Sequence, residues 1–336
     1  MTTTYHKVHC NFTFIPLYFV LLFVLMFSFG EGQLDYRFYD QSCPRLPMIV
    51  RFNVWQAIRN DTRMAASLLR LYFHDCIVDG CDASVLLDDT EDFEGEKNSF
   101  PNRKSLRGYD VIDNIKADVE RFCPSTVSCA DLLTLVVREA VQSAGGPFWP
   151  VVLGRRDSTT ASQKAANEQI PAPTESFKEM TAKFTVKGLD LKDVVVLSGA
   201  HTIGFAQCST FKKRLFDFKD SGSSDPSMDS LMLSNLQNMC PNKDTSNTNL
   251  APLDYSSTFR FDNSYYVNVV NKRGLLQSDQ ALLDDPIAAA LVNSYSNDPY
   301  LFSNDFAASM IKLSTVGILT APYGEIRKKC GSINNI

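Results

Sequence analysis

Arg70-Leu71-Tyr72-Phe73-His74-Asp75-Cys76 closes a run dense in helix-forming residues, 63–75, and predicts a helix. Arg70 and His74 are four residues apart and therefore share one face of that helix. An imidazole can accept a proton from a bound molecule, while a guanidinium stabilises negative charge that develops on a departing oxygen. The alternative is a surface arginine beside a structural histidine, and the residues that follow argue against it.

Oxygen-bearing residues follow His74 at short spacing. The pattern Asp-x-x-x-x-Gly-x-Asp-x-Ser provides two carboxylates, a hydroxyl and backbone carbonyls, the ligands that a hard cation such as calcium prefers. By itself the pattern fits an ordinary polar loop, but next to His74 it predicts a cation that fixes the end of the helix. Cys76 and Cys81 could close the same loop with a disulfide. The candidate cation ligands are Asp75, Val78, Gly80, Asp82 and Ser84.

A second histidine lies in Leu197-Ser198-Gly199-Ala200-His201-Thr202-Ile203-Gly204. Apart from His74 and His201, the only histidines are His6 and His9 in the N-terminal segment. Because histidine suits both proton transfer near neutral pH and iron binding, we interpret the pair as a proton-handling residue opposite a metal ligand. A histidine after an apolar segment is usually structural, and the local sequence does not show which acid would orient a ligating imidazole.

The N-terminal segment predicts secretion. Lys7 precedes an apolar run, residues 12–29, that ends in small residues, as in a cleaved signal peptide. The run approaches the length of a membrane span, but its position and the polar chain that follows favour the signal peptide. We therefore expect a signal peptide at 1–32, then one domain at 33–336 that has no membrane anchor.

The cysteine count agrees with an oxidising compartment. Of nine cysteines, Cys10 lies in the predicted leader, and the even remainder predicts disulfides rather than a metal site, since no Cys-x-x-Cys pair occurs. Eight cysteines allow on the order of a hundred pairings, so spacing does not give the connectivity. The net charge of −5 argues against a nucleic-acid partner. Asn60 begins a glycosylation sequon.

Helical periodicity dominates the rest of the chain, and we expect a mainly α fold with only short strands. Neither an internal repeat nor the buried Val and Ile runs of a parallel sheet are present. Trp55 and Trp149 are interpreted as packing residues rather than radical sites, because burial is the default for large aromatic side chains. The predicted helices span residues 44–59, 63–75, 109–122, 129–144, 176–187, 191–197, 261–272 and 304–316.

Several motifs, in order along the chain, resemble those of one family. The match covers residues 33–330, and the sequence is similar to the secretory haem peroxidases of plants, the class III or horseradish-peroxidase-like type. This resemblance implies a two-lobed helical body that holds haem b between a distal and a proximal lobe. The matching motifs are RLYFHDC (70–76), VDGCDAS (78–84), TVSCAD (126–131), LGRRD (153–157), LSGAHTIG (197–204), FDNSYY (261–266) and QSDQ (277–280).

The resemblance implies a role for each histidine. His201 would be the proximal ligand of the haem iron, and Asp279 would accept the hydrogen bond of its Nδ1–H, which gives the imidazole anionic character. His74 would be the distal acid–base catalyst. It would act with Arg70 and be oriented by Asn102. Phe73 lies beside this pair, and Glu96 would support the network.

The implied reaction is a peroxidase cycle. Hydrogen peroxide is reduced to water through a ferryl and porphyrin-radical intermediate, and phenolic donors are then oxidised in one-electron steps. Lignin- or suberin-type polymerisation and the response to oxidative stress are the implied settings, and the apoplast or cell wall is the expected location. Pro171 lies in the implied donor-access segment, 170–173.

The resemblance also implies two calcium ions, four disulfides and a monomer. The first calcium would use the ligands named above, with Glu96 in the same site. The second would use Thr202, Asp254, Ser257, Arg260 through its carbonyl, and Asp262. The implied disulfides are Cys43–Cys123, Cys76–Cys81, Cys129–Cys330 and Cys208–Cys240.

Three residues depart from the horseradish type. Leu253 stands where that type has a phenylalanine against the proximal imidazole, and Thr210 stands where it has an aromatic residue near the donor entrance. Ser257 replaces a threonine at the second calcium site and keeps the hydroxyl. Packing of the proximal histidine and the choice of donor are therefore the properties that the resemblance predicts least well.

Two other functions compete with this hypothesis. One is a secreted wall protein, stabilised by haem and calcium, that binds polysaccharide with little turnover. It would have no chemical need for Arg70 and His74 together. The other is an intracellular ascorbate-type peroxidase of the same superfamily, which the leader, the disulfides and the paired calcium motifs disfavour.

Overall fold

The computed structural model describes residues 1–2, 34–91 and 93–334. The predicted signal peptide, apart from its first two residues, therefore lies outside the described residues. The described part is built from α-helices with a single two-stranded sheet, and the prediction of a mainly α fold with only short strands is confirmed. No helix in this part has the length and apolar character needed to span a bilayer.

The helices in the first half of the chain are α1 (Leu46–Asn60), α2 (Met64–Ile77), α3 (Tyr109–Phe122), α4 (Cys129–Ser143) and α5 (Gln163–Gln169). Those in the second half are α6 (Phe177–Val186), α7 (Leu191–Ser198), α8 (Lys212–Phe216), α9 (Ser230–Met239), α10 (Ser264–Val270), α11 (Gln277–Gln280), α12 (Pro286–Asn297) and α13 (Pro299–Leu313). Strands β1 (Phe205–Gln207) and β2 (Leu250–Pro252) pair in antiparallel fashion.

Helix α2, which carries the first histidine, lies against α4 in the core. Helix α4 is buried from Cys129 to Val141, and most of these side chains are apolar, as expected for a helix inside a core. Its N-terminus is capped by Ser128, whose hydroxyl accepts a hydrogen bond from the Asp131 N–H at 3.1 Å. A helix buried in this way gives α2 a rigid support.

The LGRRD motif forms a buried junction. The Asp131 carboxylate accepts hydrogen bonds from the Tyr39 hydroxyl at 2.8 Å, the Gly154 N–H at 2.6 Å and the Arg155 guanidinium at 2.9 Å. Arg155 is fully buried and also donates to the Ser314 carbonyl, at 3.0 and 2.6 Å. Since the charges are paired and hydrogen-bonded, the junction fastens α4 to the end of α13 without leaving an isolated buried ion.

Apolar side chains form one large core cluster and one smaller cluster. The large cluster draws residues from two stretches, Tyr39 to Ile203 and Phe261 to Cys330. The smaller cluster lies around α8, α9 and the two strands, and its centre is formed by Phe211, Leu215 and Leu236. The strands therefore close a small satellite unit next to the segment that carries His201.

The four disulfides have the implied connectivity. The pairs are Cys43–Cys123, Cys76–Cys81, Cys129–Cys330 and Cys208–Cys240. The Cys129–Cys330 bridge joins residues 201 apart and ties the C-terminal segment to α4, whereas Cys76–Cys81 closes a local loop. All eight cysteines outside the predicted leader are used.

Some helix boundaries and one side chain differ from the predictions. Helix α13 begins at Pro299 rather than 304, because Asp298 caps it and proline suits the first helical turn. Periodicity did not indicate α5, α8, α9, α11 or α12. Trp149 is buried as expected, but Trp55 is 49% exposed. The inward face of α1 is instead formed by Ile49, Val50 and Val54, so the expectation for Trp55 was wrong.

Candidate active site

The predicted distal histidine, His74, is held by an amide. His74 is 5% exposed, and its Nδ1 lies 2.6 Å from Oδ1 of Asn102. The Asn102 Nδ2 donates to the Glu96 carbonyl at 3.0 Å, so its Oδ1 is the atom that faces the ring. An amide oxygen only accepts hydrogen bonds. The proton of a neutral His74 therefore sits on Nδ1, and Nε2 carries the free lone pair of a base.

Its surroundings keep His74 unprotonated. Burial lowers the pKa of the imidazole well below its usual value, and the charge of Arg70 lowers it further. The hydrogen bond with Asn102 opposes this shift. At neutral pH the ring is consequently ready to accept a proton. Glu96 contacts Asn102 through its backbone carbonyl rather than its carboxylate, and its support of the network stays a prediction.

Arg70 lies one turn before His74 on α2. Its Nη2 donates to the Pro101 carbonyl at 2.8 Å and to the Ser105 hydroxyl at 3.2 Å. Burial lowers the pKa of the guanidinium to about 10, so the group keeps its charge at neutral pH. Phe73, the third predicted residue of this helix face, lies edge-on to His74 with ring centroids 6.0 Å apart.

The loop after α2 gathers the predicted cation ligands. The Asp75 carboxylate accepts the Ala83 N–H at 3.0 Å, and the Asp82 carboxylate accepts the Ser84 N–H at 2.9 Å. Both oxygens of Glu96 and the Ser84 hydroxyl are buried without a hydrogen-bond partner among the described residues. Burial raises the pKa of the Glu96 carboxyl to about 8. Burial, together with the charges of Asp82 and Glu96, raises the pKa of the Asp75 carboxyl well above its usual value.

Unpaired buried oxygens and carboxylates crowded in this way fit a cation, whose charge would stabilise their ionised forms. No three His, Cys, Asp or Glu side chains within the described residues are arranged to hold a metal alone. A calcium ion here would therefore depend on carbonyl and hydroxyl oxygens as well, such as those of Val78, Gly80 and Ser84. Gly80 has φ +142° and packs on the backbone of Gly317, where a Cβ would have no room.

His201, the predicted proximal ligand, follows α7 in a short 3-10 helix, Gly199–Thr202. The Nδ1 of His201 lies 2.7 Å from Oδ1 of Asp279, a residue 78 positions away on α11. The Leu276 N–H donates to the other carboxylate oxygen of Asp279 at 2.8 Å. Since Nδ1 is held by the carboxylate, Nε2 is the nitrogen left to bind a metal. The side chain of His201 is 37% exposed. This pair fits a haem iron ligand.

The side chains of the second predicted calcium site also lie close to one another. The Thr202 hydroxyl lies 3.4 Å from Asp254 and 3.3 Å from Asp262, and the Ser257 hydroxyl lies 2.8 Å from Asp262. Burial raises the pKa of the Asp254 carboxyl. Two carboxylates and two hydroxyls that converge immediately after His201 suit a hard cation. Arg260 is exposed; its N–H donates to the Ser257 carbonyl at 2.8 Å, and its guanidinium lies 4.0 Å from the Asp262 carboxylate.

The predicted donor segment is fastened next to Asp279. Pro171 is half-buried, and the segment that follows it accepts two hydrogen bonds from α11. The Ser278 N–H donates to the Pro173 carbonyl at 3.0 Å, and the Gln277 side chain donates to the Thr174 carbonyl at 2.8 Å. The Thr210 hydroxyl donates to a nearby backbone carbonyl at 2.7 Å. Of the remaining predicted sites, Asn60 is exposed at the end of α1.

Two contacts were not predicted. Ser105 accepts a hydrogen bond from Arg70, and the Tyr265 hydroxyl lies 3.1 Å from Oδ1 of Asp279. The first contact joins residues 35 positions apart and the second joins residues 14 apart. No local periodicity signals either contact. For Tyr265, the only sign was its place inside the FDNSYY motif.

Comparison with known proteins gives a consistent result. The sequence model described as "Peroxidase" matches residues 50–298. The chain is 61% identical to Peroxidase 10 of Arabidopsis thaliana over 302 residues, covering 89% of this chain and 86% of that protein. It is 47% identical to Peroxidase 4 of Vitis vinifera, covering 91% and 93% of the two chains. A "Lignin-forming anionic peroxidase" of Nicotiana sylvestris is 47% identical, covering 90% and 92%.

Proposed function

Because this chain belongs to the class III plant peroxidase family, we propose that it is a secreted peroxidase whose proton transfers are carried out by His74. The activity itself, reduction of hydrogen peroxide with oxidation of a donor, follows from the family. The observation that carries the residue assignment is the 2.6 Å contact between His74 Nδ1 and Asn102 Oδ1, which leaves Nε2 as the base.

His201 and Asp279 would hold the prosthetic group. Members of this family bind haem and calcium, and the proposed stoichiometry is one haem b and two calcium ions per chain. When bound, haem supplies an iron that can be oxidised by peroxide and reduced again in single-electron steps. The Asp279 carboxylate, 2.7 Å from His201, orients the ring and strengthens it as an iron ligand.

His74 and Arg70 divide the work of cleaving the peroxide. His74 Nε2 takes a proton from hydrogen peroxide and returns it to the oxygen that leaves as water. Arg70, which keeps its charge at neutral pH, stabilises the negative charge on that oxygen while the O–O bond breaks. The hydrogen bond from Arg70 to the Pro101 carbonyl fixes the guanidinium beside the imidazole before substrate arrives, which reduces the cost of reorganisation.

Phenols are the proposed donors, and Pro171 the proposed contact for their rings. The Nicotiana sylvestris relative is named as a lignin-forming peroxidase, which supports phenol coupling in the cell wall as the setting, with the response to oxidative stress as a related one. The hydrogen bonds between α11 and the segment after Pro171 would keep the donor contact in a fixed position relative to His201.

The proposed mature protein is a monomer of residues 33–336, located in the apoplast. The two calcium sites would fix the ends of the segments that carry the catalytic groups, one directly after His74 and one directly after His201. The first would use Glu96 and the loop from Asp75 to Ser84. The second would use Thr202 and the turn from Asp254 to Asp262.

The test uses the purified secreted protein. Elemental analysis should find one iron and two calcium ions per chain, and hydrogen peroxide should support oxidation of simple phenols. A His74→Leu variant should keep its iron but lose most of the activity, because general acid–base catalysis contributes on the order of 10² to 10⁴ in rate. Equal activity of the variant and the parent protein would contradict the assignment of His74.

A further inference from the structure

One oxygen of Asp279 has two hydrogen-bond donors. The His201 ring lies 2.7 Å from Oδ1 through its Nδ1, and the Tyr265 hydroxyl lies 3.1 Å from the same atom. The other oxygen, Oδ2, accepts the Leu276 N–H at 2.8 Å. The carboxylate that orients the proximal histidine is therefore shared, and the phenol competes directly with the imidazole for one acceptor.

Burial makes this competition effective. Tyr265 is 2% exposed and Asp279 is 1% exposed, so water does not screen the contact and each hydrogen bond has a larger electrostatic effect than at a surface. Burial and the charge of Asp279 raise the pKa of the Tyr265 hydroxyl well above its usual value. The phenol thus remains protonated and acts as a donor.

The direction of the effect follows from charge. An oxygen that accepts a hydrogen bond from a phenol has less negative charge to offer to a second donor. The imidazole of His201 then acquires less anionic character, and a less anionic ligand favours ferric over ferrous iron by a smaller margin.

We propose that Tyr265 is a positioning residue that weakens the hold of Asp279 on His201 and thereby raises the reduction potential of the bound haem iron. This inference rests on the proposed function, in which His201 is the iron ligand. It assigns to Tyr265 a task beyond packing, namely to limit how strongly the iron is driven toward its oxidised states.

The neighbouring residue provides a matched control. Tyr266 is buried to the same degree, but its hydroxyl donates to the Val195 and Val196 carbonyls, at 3.0 and 3.2 Å, instead of to Asp279. Loss of either hydroxyl removes a buried hydrogen-bond donor from α10. Only loss of the Tyr265 hydroxyl changes the acceptor of His201.

The experiment compares haem-loaded Tyr265→Phe, Tyr266→Phe and Asp279→Asn variants with the parent protein. At the parent's midpoint potential, the ratio of ferric to ferrous haem should rise about threefold to tenfold in Tyr265→Phe. This is the change in an equilibrium constant that the net free energy of one hydrogen bond produces. It should fall in Asp279→Asn and stay unchanged in Tyr266→Phe. The iron–histidine stretching frequency of the ferrous proteins should rise in Tyr265→Phe and fall in Asp279→Asn.

A second measurement does not depend on how well Tyr265→Phe folds. Replacement of Tyr265 by 3-fluorotyrosine keeps the shape and makes the hydroxyl a stronger donor, so the ferric-to-ferrous ratio should fall below that of the parent. An unchanged ratio in both Tyr265 proteins, or an equal change in Tyr266→Phe, would overturn the inference alone. An unchanged ratio in Asp279→Asn would overturn it together with the proximal assignment.

Discussion

The Nδ1 of His74 lies 2.6 Å from Oδ1 of Asn102, a residue 28 positions away. The amide is itself fixed by its bond to the Glu96 carbonyl, so the contact determines which ring nitrogen carries the proton. Because Arg70 lies on the same face of α2, one rigid helix presents both the base and the cation. The proposed chemistry of His74 would therefore depend on a hydrogen bond that a single substitution can remove.

Replacement of Asn102 by Val should slow the reaction with hydrogen peroxide by about tenfold to a hundredfold, since the ring is no longer held in its basic tautomer. The same hydrogen bond raises the pKa of His74, so its loss should move the acid limb of the rate to lower pH. Both effects can be tested by rapid-mixing measurements of the rate from about pH 3 to about pH 8. This is roughly the range over which histidine and carboxyl groups titrate. Asn98→Val, at an exposed neighbouring position, should leave the profile unchanged.

Arg70→Leu should lower the same rate constant by about a hundredfold to a thousandfold, the usual effect of removing a group that stabilises developing negative charge. Arg70→Lys should retain part of the activity, because it keeps the charge but loses the guanidinium hydrogen bonds to the Pro101 carbonyl and the Ser105 hydroxyl. Ser105→Ala should have only a small effect. A full rate in Arg70→Leu, with normal haem content, would contradict the role given to this residue.

His74 should make the stability of the fold depend on pH in the acid range. Its pKa is lowered in the folded protein, so between that value and about 6.5 the unfolded chain binds more protons. The stabilising contribution is complete above about 6.5 and is lost as the pH falls, at up to about 1.4 kcal/mol per pH unit. Urea unfolding at several pH values should show this slope in the parent protein and a smaller slope in His74→Gln. Identical slopes would contradict the sign or the source of the effect.

Removal of calcium should destabilise the protein and disturb His74, because the first cation loop begins at the next residue, Asp75. A ligand present at about 100 times its dissociation constant contributes roughly 2.7 kcal/mol, so chelation should lower the thermal midpoint clearly. Asp82→Asn should already have a low midpoint and respond less to the chelator. Asp79→Asn is the control, since this carboxylate is exposed and accepts a hydrogen bond from the Gln169 side chain. An equal chelator response in all three proteins would contradict the proposed site.

The parts of the site that are close in sequence could be predicted, and those that are distant could not. Helix periodicity placed Arg70 and His74 on one face, and oxygen spacing indicated the loop after Asp75. The partner of His201 could not be found from local sequence, because Asp279 lies 78 residues away. Resemblance to a family supplied that contact, as it supplied the disulfide connectivity, but it gave no role to Tyr265.

Helix α5 shows why some elements were missed. Its sequence, QKAANEQ, contains one buried residue, Ala166, so it has no apolar stripe to indicate a helix. It forms because Ser162 caps it, accepting the Ala165 N–H at 3.1 Å, and because it lies against the segment that carries Glu96. Trp55 illustrates the converse error, since a large aromatic side chain is not in itself evidence of burial.

The most direct test of the central claim is to mix the haem-loaded protein with one equivalent of hydrogen peroxide and record the visible spectrum, beside His74→Leu and His201→Ala variants. The account predicts a rapid change in the Soret band of the parent protein that reverses when a phenol is added. His74→Leu should react about a hundredfold or more slowly with the same haem content, and His201→Ala should lose the spectrum of the histidine-bound iron. A parent protein that takes up no haem, or whose Soret band does not respond to peroxide, would contradict the account.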